Sequence, residues 1–328
     1  LSGSISVKMK GTSSNNPNLK TVAGLTADSG TLYYKIESIA NKTTTIDFSK
    51  TSEQDNTNGV YMTTNTDSGI PVYYYRGNVD NRVIFANKCW KIIRTTETGG
   101  VKLIYDGKPT NGQCNNTGGN SAIATSAFNL NRDNAKYVGY MYGNSIDDTT
   151  NTTDSTIKAS IDTWYKNNMT NYTDKLEDTV FCSDRSYTTN GSTLIFATKT
   201  RLDVNKTPTL KCKNLKDRFT VDINNGNGNL TYPIALITAD ETVYAGVVLN
   251  SANSTFYLKI GTWYVTMSPY DFTSSAPHVL YIGSGGILKG ADGGVYDASG
   301  AVRPVISLKP GIAMTGGSGT ATDPFIVG

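Results

Sequence analysis

Four short runs of apolar and aromatic residues constrain the fold of this chain more than any other feature. They are residues 72–77, 82–86, 89–94 and 101–105. All four contain the β-branched and aromatic residue types that favour strands. The last two are separated by Glu-Thr-Gly-Gly at residues 97–100, which has the chemistry of a hairpin turn. We therefore predict a meander of antiparallel strands.

The composition is typical of a β-rich extracellular protein rather than a cytosolic enzyme. Only 17% of the 328 residues are charged, against about 25% in an average protein. Tyr and Thr are abundant and favour strands, while the many Gly and Asn residues favour turns. The net charge of +3 comes from scattered Lys and Arg residues, which does not indicate nucleic-acid binding.

The sequence also bears on membrane attachment. It contains no run of eighteen apolar residues, so we predict no membrane-spanning segment. It begins Leu-Ser-Gly-Ser, without an initiator Met or an apolar leader. We therefore expect any signal or membrane anchor to have been removed.

The four cysteines predict two disulfides. Cys89, Cys114, Cys182 and Cys212 form no Cys-x-x-Cys pair, and the only histidine is far away in the sequence, so a zinc site is not expected. We predict the local pairs Cys89–Cys114 and Cys182–Cys212. Such bridges imply an oxidising compartment. The alternative is four buried free thiols.

Other segments complete the prediction of elements. A helix is expected over residues 155–175, where apolar residues recur at helical spacing after a cap at Ser155. Trp164 on this helix is expected to be core. A short helix is predicted at residues 32–40 and another after residue 238. Strands are predicted at the following residues: 43–48, 232–237, 255–258, 279–282 and 302–308. By composition the chain divides into a small N-terminal region or stalk, residues 1–70, and a main domain, residues 71–328.

Catalytic chemistry finds little support in the sequence. His278 is the only histidine and has no orienting partner nearby in the sequence, so we expect an exposed loop residue or a contact residue. Asp240 and Glu241 adjoin a predicted helix start and are interpreted as caps. Asp292 and Asp297 could provide oxygen ligands for calcium, so a calcium site remains an alternative, although no EF-hand spacing exists. We predict no enzyme, no metal site and no cofactor.

A permissive segment between two stiff apolar anchors is the candidate binding region. The anchors are residues 263–272 and 302–308, and the segment between them is rich in Gly, Ser and Tyr. Such a composition is typical of displayed binding surfaces. The candidate ligand-binding side chains are Tyr264, Tyr270, Phe272, His278, Tyr281 and Tyr296. Some of these rings are equally well explained as core, Tyr264 and Tyr281 in particular. Trp263, Arg185 and Arg303 are expected to be structural.

Several motifs together resemble a family of secreted or surface proteins of gut-dwelling Gram-positive bacteria. They are YYYRG at 73–77, CWKIIR at 89–94, FCSDRS at 181–186, WYVTMSPYDF at 263–272 and VRPVISL at 302–308. The Gly-rich ending at residues 317–325 is also similar. The resemblance covers about residues 60–328. Members carry a C-terminal domain similar to the C-type lectin and formylglycine-generating enzyme folds.

The resemblance implies an α+β, C-type lectin-like domain with twisted antiparallel strands, one or two helices and long loops. Some proteins of this fold are variable proteins of diversity-generating retroelements, whose exposed C-terminal face binds new ligands. The corresponding face here is residues 263–303, called the predicted face below. The enzyme branch uses two copper-binding cysteines, whereas the predicted disulfides use all four cysteines of this chain.

These observations lead to three functional hypotheses. The first is an extracellular ligand-binding or adhesion protein of the bacterial cell surface, with an unknown protein or glycan ligand. The second is a structural surface or pilin-like subunit. The third is an enzyme of the formylglycine-generating fold. No nucleic-acid partner is expected, and a membrane is reached only through an anchor outside this chain.

Overall fold

A computed structural model describes residues 29–273, 276–290 and 294–328. These residues form a mixed α+β structure dominated by sheets, with few and short helices. The strands are β1 Gly59–Thr63, β2 Val72–Arg76, β3 Arg82–Phe85, β4 Lys88–Thr95, β5 Val101–Tyr105, β6 Ala124–Thr125, β7 Met141–Tyr142, β8 Thr153–Asp154, β9 Phe181–Cys182, β10 Tyr187–Asn190, β11 Thr193–Phe196, β12 Arg218–Phe219, β13 Tyr264–Thr273, β14 Ala276–Ile282, β15 Leu288–Lys289, β16 Ala301–Val302, β17 Val305–Leu308, β18 Met314–Gly316 and β19 Phe325–Val327.

The helices are few and most are a single turn or two. They are α1 Leu32–Ser38, α2 Thr156–Asn168, α3 Ala197–Lys199 and α4 Ala239–Tyr244. Short 3-10 turns cover Gly118–Ser121, Ala135–Val138, Thr170–Lys175 and Leu215–Asp217, and a π turn covers Thr200–Val204.

The larger sheet has eight strands and contains the predicted meander. Strand β4 pairs with β5 along one edge, and with β3 and the middle of β2 along the other, always antiparallel. The four predicted runs are therefore confirmed as β2 to β5. Their burial is nearly complete: every residue of β2 and β5 is buried. Such runs are apolar on both faces because both faces of the sheet are covered.

The C-terminal strands complete this sheet from a distance. Strand β17 pairs antiparallel with β5, while β19 pairs in parallel with β3 and antiparallel with β18. The predicted strand at 302–308 is divided into β16 and β17, which belong to different sheets. The larger sheet is therefore built from strands near both ends of the described chain.

Residues before position 70 also join the larger sheet. Strand β1 pairs with β2 over five residue pairs, from Gly59 opposite Arg76 to Thr63 opposite Val72. Helix α1 buries Leu32, Tyr33 and Ile36 in the main core. The predicted boundary at residue 70 therefore falls between two paired strands, and residues 1–28 lie outside the described part of the chain.

The second sheet has seven strands and bears the predicted face. Its order is β10-β11-β13-β14-β15, and β16 pairs with both β13 and β6. Strands β13 and β14 form a long antiparallel hairpin whose register shifts twice near Pro269. Proline lacks the N–H that a regular ladder requires, which accounts for irregular pairing at this position.

Helix α2 follows the predicted pattern but ends earlier. The Ser155 side chain accepts a hydrogen bond from the Lys158 N–H and caps the helix, and Ile157, Ile161 and Tyr165 are buried. The helix ends at Asn168 and continues only as a 3-10 turn. Trp164 is half-buried and packs edge-on against Trp90 and Tyr105.

Three predicted strands are wrong. Residues 43–48 and 255–258 are turns or coil, and residues 232–237 contain only an isolated bridge at Ala235. At the start of the first two segments an Asn side chain forms a hydrogen bond with the backbone. The Asn41 side chain accepts from the N–H of Thr43, and the Asn253 side chain accepts from the N–H of Thr255. These local bonds compete with strand pairing.

Both predicted disulfides are present. Cys89–Cys114 and Cys182–Cys212 each have a Cα–Cα distance of 5.7 Å. Two disulfides are consistent with an extracellular protein. Among the residues described, none of the helices has the length and apolar character needed to cross a bilayer.

Candidate functional site

The β13–β14 hairpin places two aromatic rings at one corner of the predicted face. Trp263 immediately precedes β13, and Tyr281 on β14 lies opposite Val265 of β13 and Lys289 of β15. The Trp263 and Tyr281 rings meet edge-to-face, with centroids 5.5 Å apart and planes at 71°. This geometry is a favourable one for an aromatic pair and fixes both rings.

These rings line an open cleft of about 420 Å³. We call it the aromatic cleft, and its lining residues are Trp263, Tyr281, Gly283, Ser284, Gly285, Ile287, Lys289 and Asp297. The wall combines two aromatic rings and an aliphatic side chain with a hydroxyl, an ammonium and a carboxylate. Apolar walls with a few well-placed polar groups are typical of small-ligand sites.

Glycines shape this cleft in two places. The β14–β15 turn is closed by bonds from the Gly283 N–H to Ile287 O and from the Gly286 N–H to Gly283 O, and Gly286 has φ +73°. At Gly300 a Cβ atom would lie 2.7 Å from the Trp263 ring. The indole therefore rests directly on the backbone at residue 300, which is possible only without a side chain there.

Asp297 is held by its own loop. Its Oδ1 accepts hydrogen bonds from the Ser299 N–H at 2.9 Å and from the Ser299 hydroxyl at 2.7 Å. A carboxylate has about four acceptor positions, so Asp297 can accept further hydrogen bonds from a ligand. Within the described residues no group of three or more His, Cys, Asp and Glu could bind a metal ion, and Asp292 lies outside them.

Tyr264 and Tyr270 do not belong to an exposed face. Tyr264 is fully buried, and the Arg303 guanidinium lies 4.9 Å from its ring centroid. Tyr270 is buried and is covered by the Lys199 ammonium, 4.3 Å from its ring centroid. Their assignment as ligand-binding residues is corrected on this ground, because Tyr264 has no accessible surface and Tyr270 is only 7% exposed.

His278 also differs from its prediction. It lies on strand β14 rather than in a loop, and it is buried. Its Nδ1 is 2.7 Å from Asp271 Oδ1, and the other oxygen of Asp271 accepts a bond from Lys199 Nζ at 2.7 Å. Burial opposes ionisation of Asp271, but the bonds from His278 and Lys199 prevail and lower the pKa of that carboxyl. His278 thus has the partner that the sequence did not indicate.

The other predicted residues vary in exposure. Tyr281 lines the aromatic cleft and Phe272 is half-buried. Tyr296 is exposed, and the guanidinium of Arg132 lies over it at 4.6 Å from the ring centroid. Trp263, expected to be structural, is half-buried and forms part of the cleft wall.

The two arginines expected to be structural are buried and fully engaged. Arg303 donates to the carbonyls of Tyr105 and Leu258 and to Asp106. Arg185 donates to Asp217 and to the carbonyl of Met141. Each guanidinium thus ties together segments that are distant in the sequence.

Ser284, Ile287 and Lys289 were missed as site residues. The glycine-rich turn was recognised in the sequence, but only as a turn. Lys289 joins the cleft because β15 pairs with β14 and places it opposite Tyr281. A register of this kind is a tertiary property, so no local signal could have identified it.

Comparison with protein-family models, with curated proteins and with solved structures finds no match to this chain.

Proposed function

We propose that the protein is an extracellular ligand-binding or adhesion protein that binds a glycan in the aromatic cleft. The observation that carries this proposal is the edge-to-face pair of Trp263 and Tyr281, two half-buried rings that line the aromatic cleft. The finer assignment of the fold as C-type lectin-like, and the placement at a bacterial cell surface, belong to the same proposal.

The chemistry of the wall favours a saccharide over a purely apolar ligand. The indole and phenol rings offer flat apolar surface to the C–H face of a sugar ring. Lys289 is a donor, Asp297 an acceptor and the Ser284 hydroxyl either, which suits the mixed hydroxyl groups of a sugar. Lys289 and Asp297 carry charges of opposite sign, so together they give the cleft no net charge. A neutral sugar is therefore favoured over a charged one.

Binding rather than catalysis is the mechanism we infer. Recognition would come from aromatic anchors and polar bonds around them, with no bond made or broken. Tyr281 lies on strand β14 and Trp263 directly precedes strand β13, so the hairpin holds both rings in place, which reduces the ordering cost of binding. The disulfides support the extracellular placement, since they persist in oxidising compartments.

A glycan array tests the proposal directly. We expect the wild-type chain to bind a defined set of neutral glycans, and Trp263→Ala or Tyr281→Ala to weaken that binding by about tenfold or more, because each removes an anchor. Tyr34→Ala is the matched control, since Tyr34 is an exposed tyrosine outside the cleft. Glycan binding that survives both cleft variants would locate the site elsewhere.

The structural-subunit hypothesis gives the opposite result in the same experiment. Such a subunit would show no glycan binding and would self-associate, which sedimentation measures. That outcome would replace the proposed function with the second hypothesis.

A further inference from the structure

A second cavity, of about 320 Å³, lies on another part of the molecule. We call it the charged cavity. Its walls come from the β4–β5 hairpin, the segment around β9 and the start of α4, and the Cys182–Cys212 disulfide forms part of them. None of its lining residues is shared with the aromatic cleft. It requires an explanation of its own.

The floor of this cavity has two cations and one carboxylate. Glu241 Oε1 accepts bonds from Arg94 Nε at 3.0 Å and from Lys102 Nζ at 2.8 Å. Glu241 Oε2 accepts from the Thr238 N–H at 3.0 Å and from its hydroxyl at 3.2 Å. A carboxylate has about four acceptor positions. All those of Glu241 are therefore in use, and one positive charge at the floor is left over.

Two buried groups at the floor keep donors without a protein acceptor. The side chain of Lys102 is only 1% exposed, and its contacts are Glu241 and the Phe181 ring, 4.7 Å away. The Ser268 Oγ accepts from the Ala239 N–H, and its own proton has no acceptor among the described residues. A buried donor without a partner costs about 1–3 kcal/mol. The floor therefore favours a ligand group that accepts hydrogen bonds and carries negative charge.

Another part of the wall carries two carboxylates that form no ion pair in the described part of the chain. Within the described residues, neither Glu177 nor Asp178 forms an ion pair with Lys or Arg. Glu177 accepts from the hydroxyls of Thr96 and Thr98, and Asp178 from two backbone N–H groups at residues 221–222. Burial raises the pKa of Glu177, although the bonds from Thr98 and Thr96 and the charge of Arg94, which forms no ion pair with it, act in the other direction.

Two further cations line the cavity: Arg201, which is already neutralised, and Lys211, which is exposed to solvent. Arg201 donates to Asp240 through Nε and Nη2 and to Asp184 through Nη1. The side that includes Glu177 and Asp178 therefore attracts positive charge, while the floor attracts negative charge. A simple anion or a simple amine would match only one of the two.

We infer that the charged cavity binds a free α-amino acid, its carboxylate on Lys102 and Ser268 and its ammonium group at Glu177 and Asp178. This ligand matches both halves of the wall at once. Leu210 and Val180 provide apolar surface for its side chain. An analogue without the carboxylate leaves the buried donors of Lys102 and Ser268 unpaired, and one without the ammonium group leaves the charges of Glu177 and Asp178 uncompensated. A polar site rejects such analogues strongly.

Isothermal titration of the full chain with a panel of amino acids tests this inference. The probes are glycine, alanine, leucine, glutamate and lysine, each beside propionate and propylamine. We expect at least one amino acid to bind, and both single-charge analogues to bind at least about tenfold more weakly. Glu177→Gln keeps the shape and one acceptor oxygen but removes the charge, so it should weaken binding by about tenfold, equal to about 1.4 kcal/mol.

The controls separate this site from the aromatic cleft. Glu53→Gln, a change at an exposed acid outside the cavity, should leave amino-acid binding unchanged. Trp263→Ala should do the same, so loss of glycan binding and loss of amino-acid binding are distinguishable. The inference is wrong if no amino acid binds at millimolar concentration, if propylamine binds as tightly as the amino acids, or if folded Glu177→Gln binds like the wild type.

Discussion

At the scale of single residues, the informative side chains of this protein are buried charges. Glu241 was interpreted from the sequence as a helix cap, and the structure shows a capping box between Thr238 and Glu241 at the start of α4. The same carboxylate is also the shared partner of Lys102 and Arg94. Removal of one member of such a cluster leaves the others buried and unpaired, which is strongly destabilising.

The Glu241 carboxylate predicts a specific acid sensitivity. Burial opposes its ionisation, but Lys102, Arg94 and the Thr238 N–H prevail and hold its pKa at about 2, below the ordinary 4.5. The unfolded chain therefore binds more protons than the folded one between these values. The stability from this group is present above pH 4.5 and is lost as the pH falls toward 2.

Urea denaturation from pH 2 to pH 7 measures this contribution. Glu241→Gln should be less stable than the wild type at pH 7 by about 3–5 kcal/mol. The difference between the two proteins should shrink by a few kcal/mol as the pH falls, because the carboxylate no longer contributes in acid. A difference that is constant over this pH range would contradict the lowered pKa.

At the scale of elements, the β13–β14 hairpin and the segment at Gly300 together position the aromatic cleft. Tyr264 and Tyr281 lie on neighbouring strands of this hairpin, yet one is fully buried and the other lines the cleft. Successive residues of a strand point to opposite faces of the sheet. Aromatic composition alone could not separate the two rings, because their orientation depends on register.

The contact between Gly300 and Trp263 is open to test. Gly300→Ala would place a Cβ atom 2.7 Å from the indole and force the ring to shift. We expect the free energy of unfolding, measured by thermal denaturation, to fall by about 1–3 kcal/mol, as for other overpacking changes. Glycan binding should also become weaker. Gly119→Ala is the matched control, since nothing lies within 4 Å of its added Cβ atom. Equal stability of both variants would show that the position of the indole does not depend on its close contact with the backbone at Gly300.

At the scale of the whole molecule, the fold depends on contacts between segments that are far apart in the sequence. The C-terminal strands β17 and β19 add to the sheet begun by β2 to β5. The two disulfides close loops of 25 and 30 positions within this framework. Neither disulfide links the chain ends, so the long-range order comes from strand pairing and core packing.

Removal of each disulfide measures what these loops contribute. Serine replacement of the Cys89–Cys114 pair, or of the Cys182–Cys212 pair, should cost about 3 kcal/mol, since loop-closure entropy changes slowly with loop length. Thermal or denaturant unfolding measures both values. The second pair forms a wall of the charged cavity, so its loss should also weaken amino-acid binding, whereas loss of the first pair should not. Equal effects of both pairs on binding would argue against this cavity as the site.

The sequence by itself determined the elements whose signals are local. Strands β2 to β5, the cap and buried stripe of α2, and two disulfides between nearby cysteines follow from residue pattern and spacing. Local patterns wrongly predicted strands at residues 43–48 and 255–258. There the side chains of Asn41 and Asn253 accept hydrogen bonds from backbone N–H groups that a strand would pair with a neighbouring strand.

Only the tertiary structure decided which side chains meet and which stay exposed. It buries Tyr264 and Tyr270, pairs His278 with Asp271, and brings Lys102 to Glu241 across 139 positions of sequence. The physical reason is that exposure and charge pairing depend on what packs against a residue, and that depends on the register of distant strands. Both the aromatic cleft and the charged cavity are products of that packing.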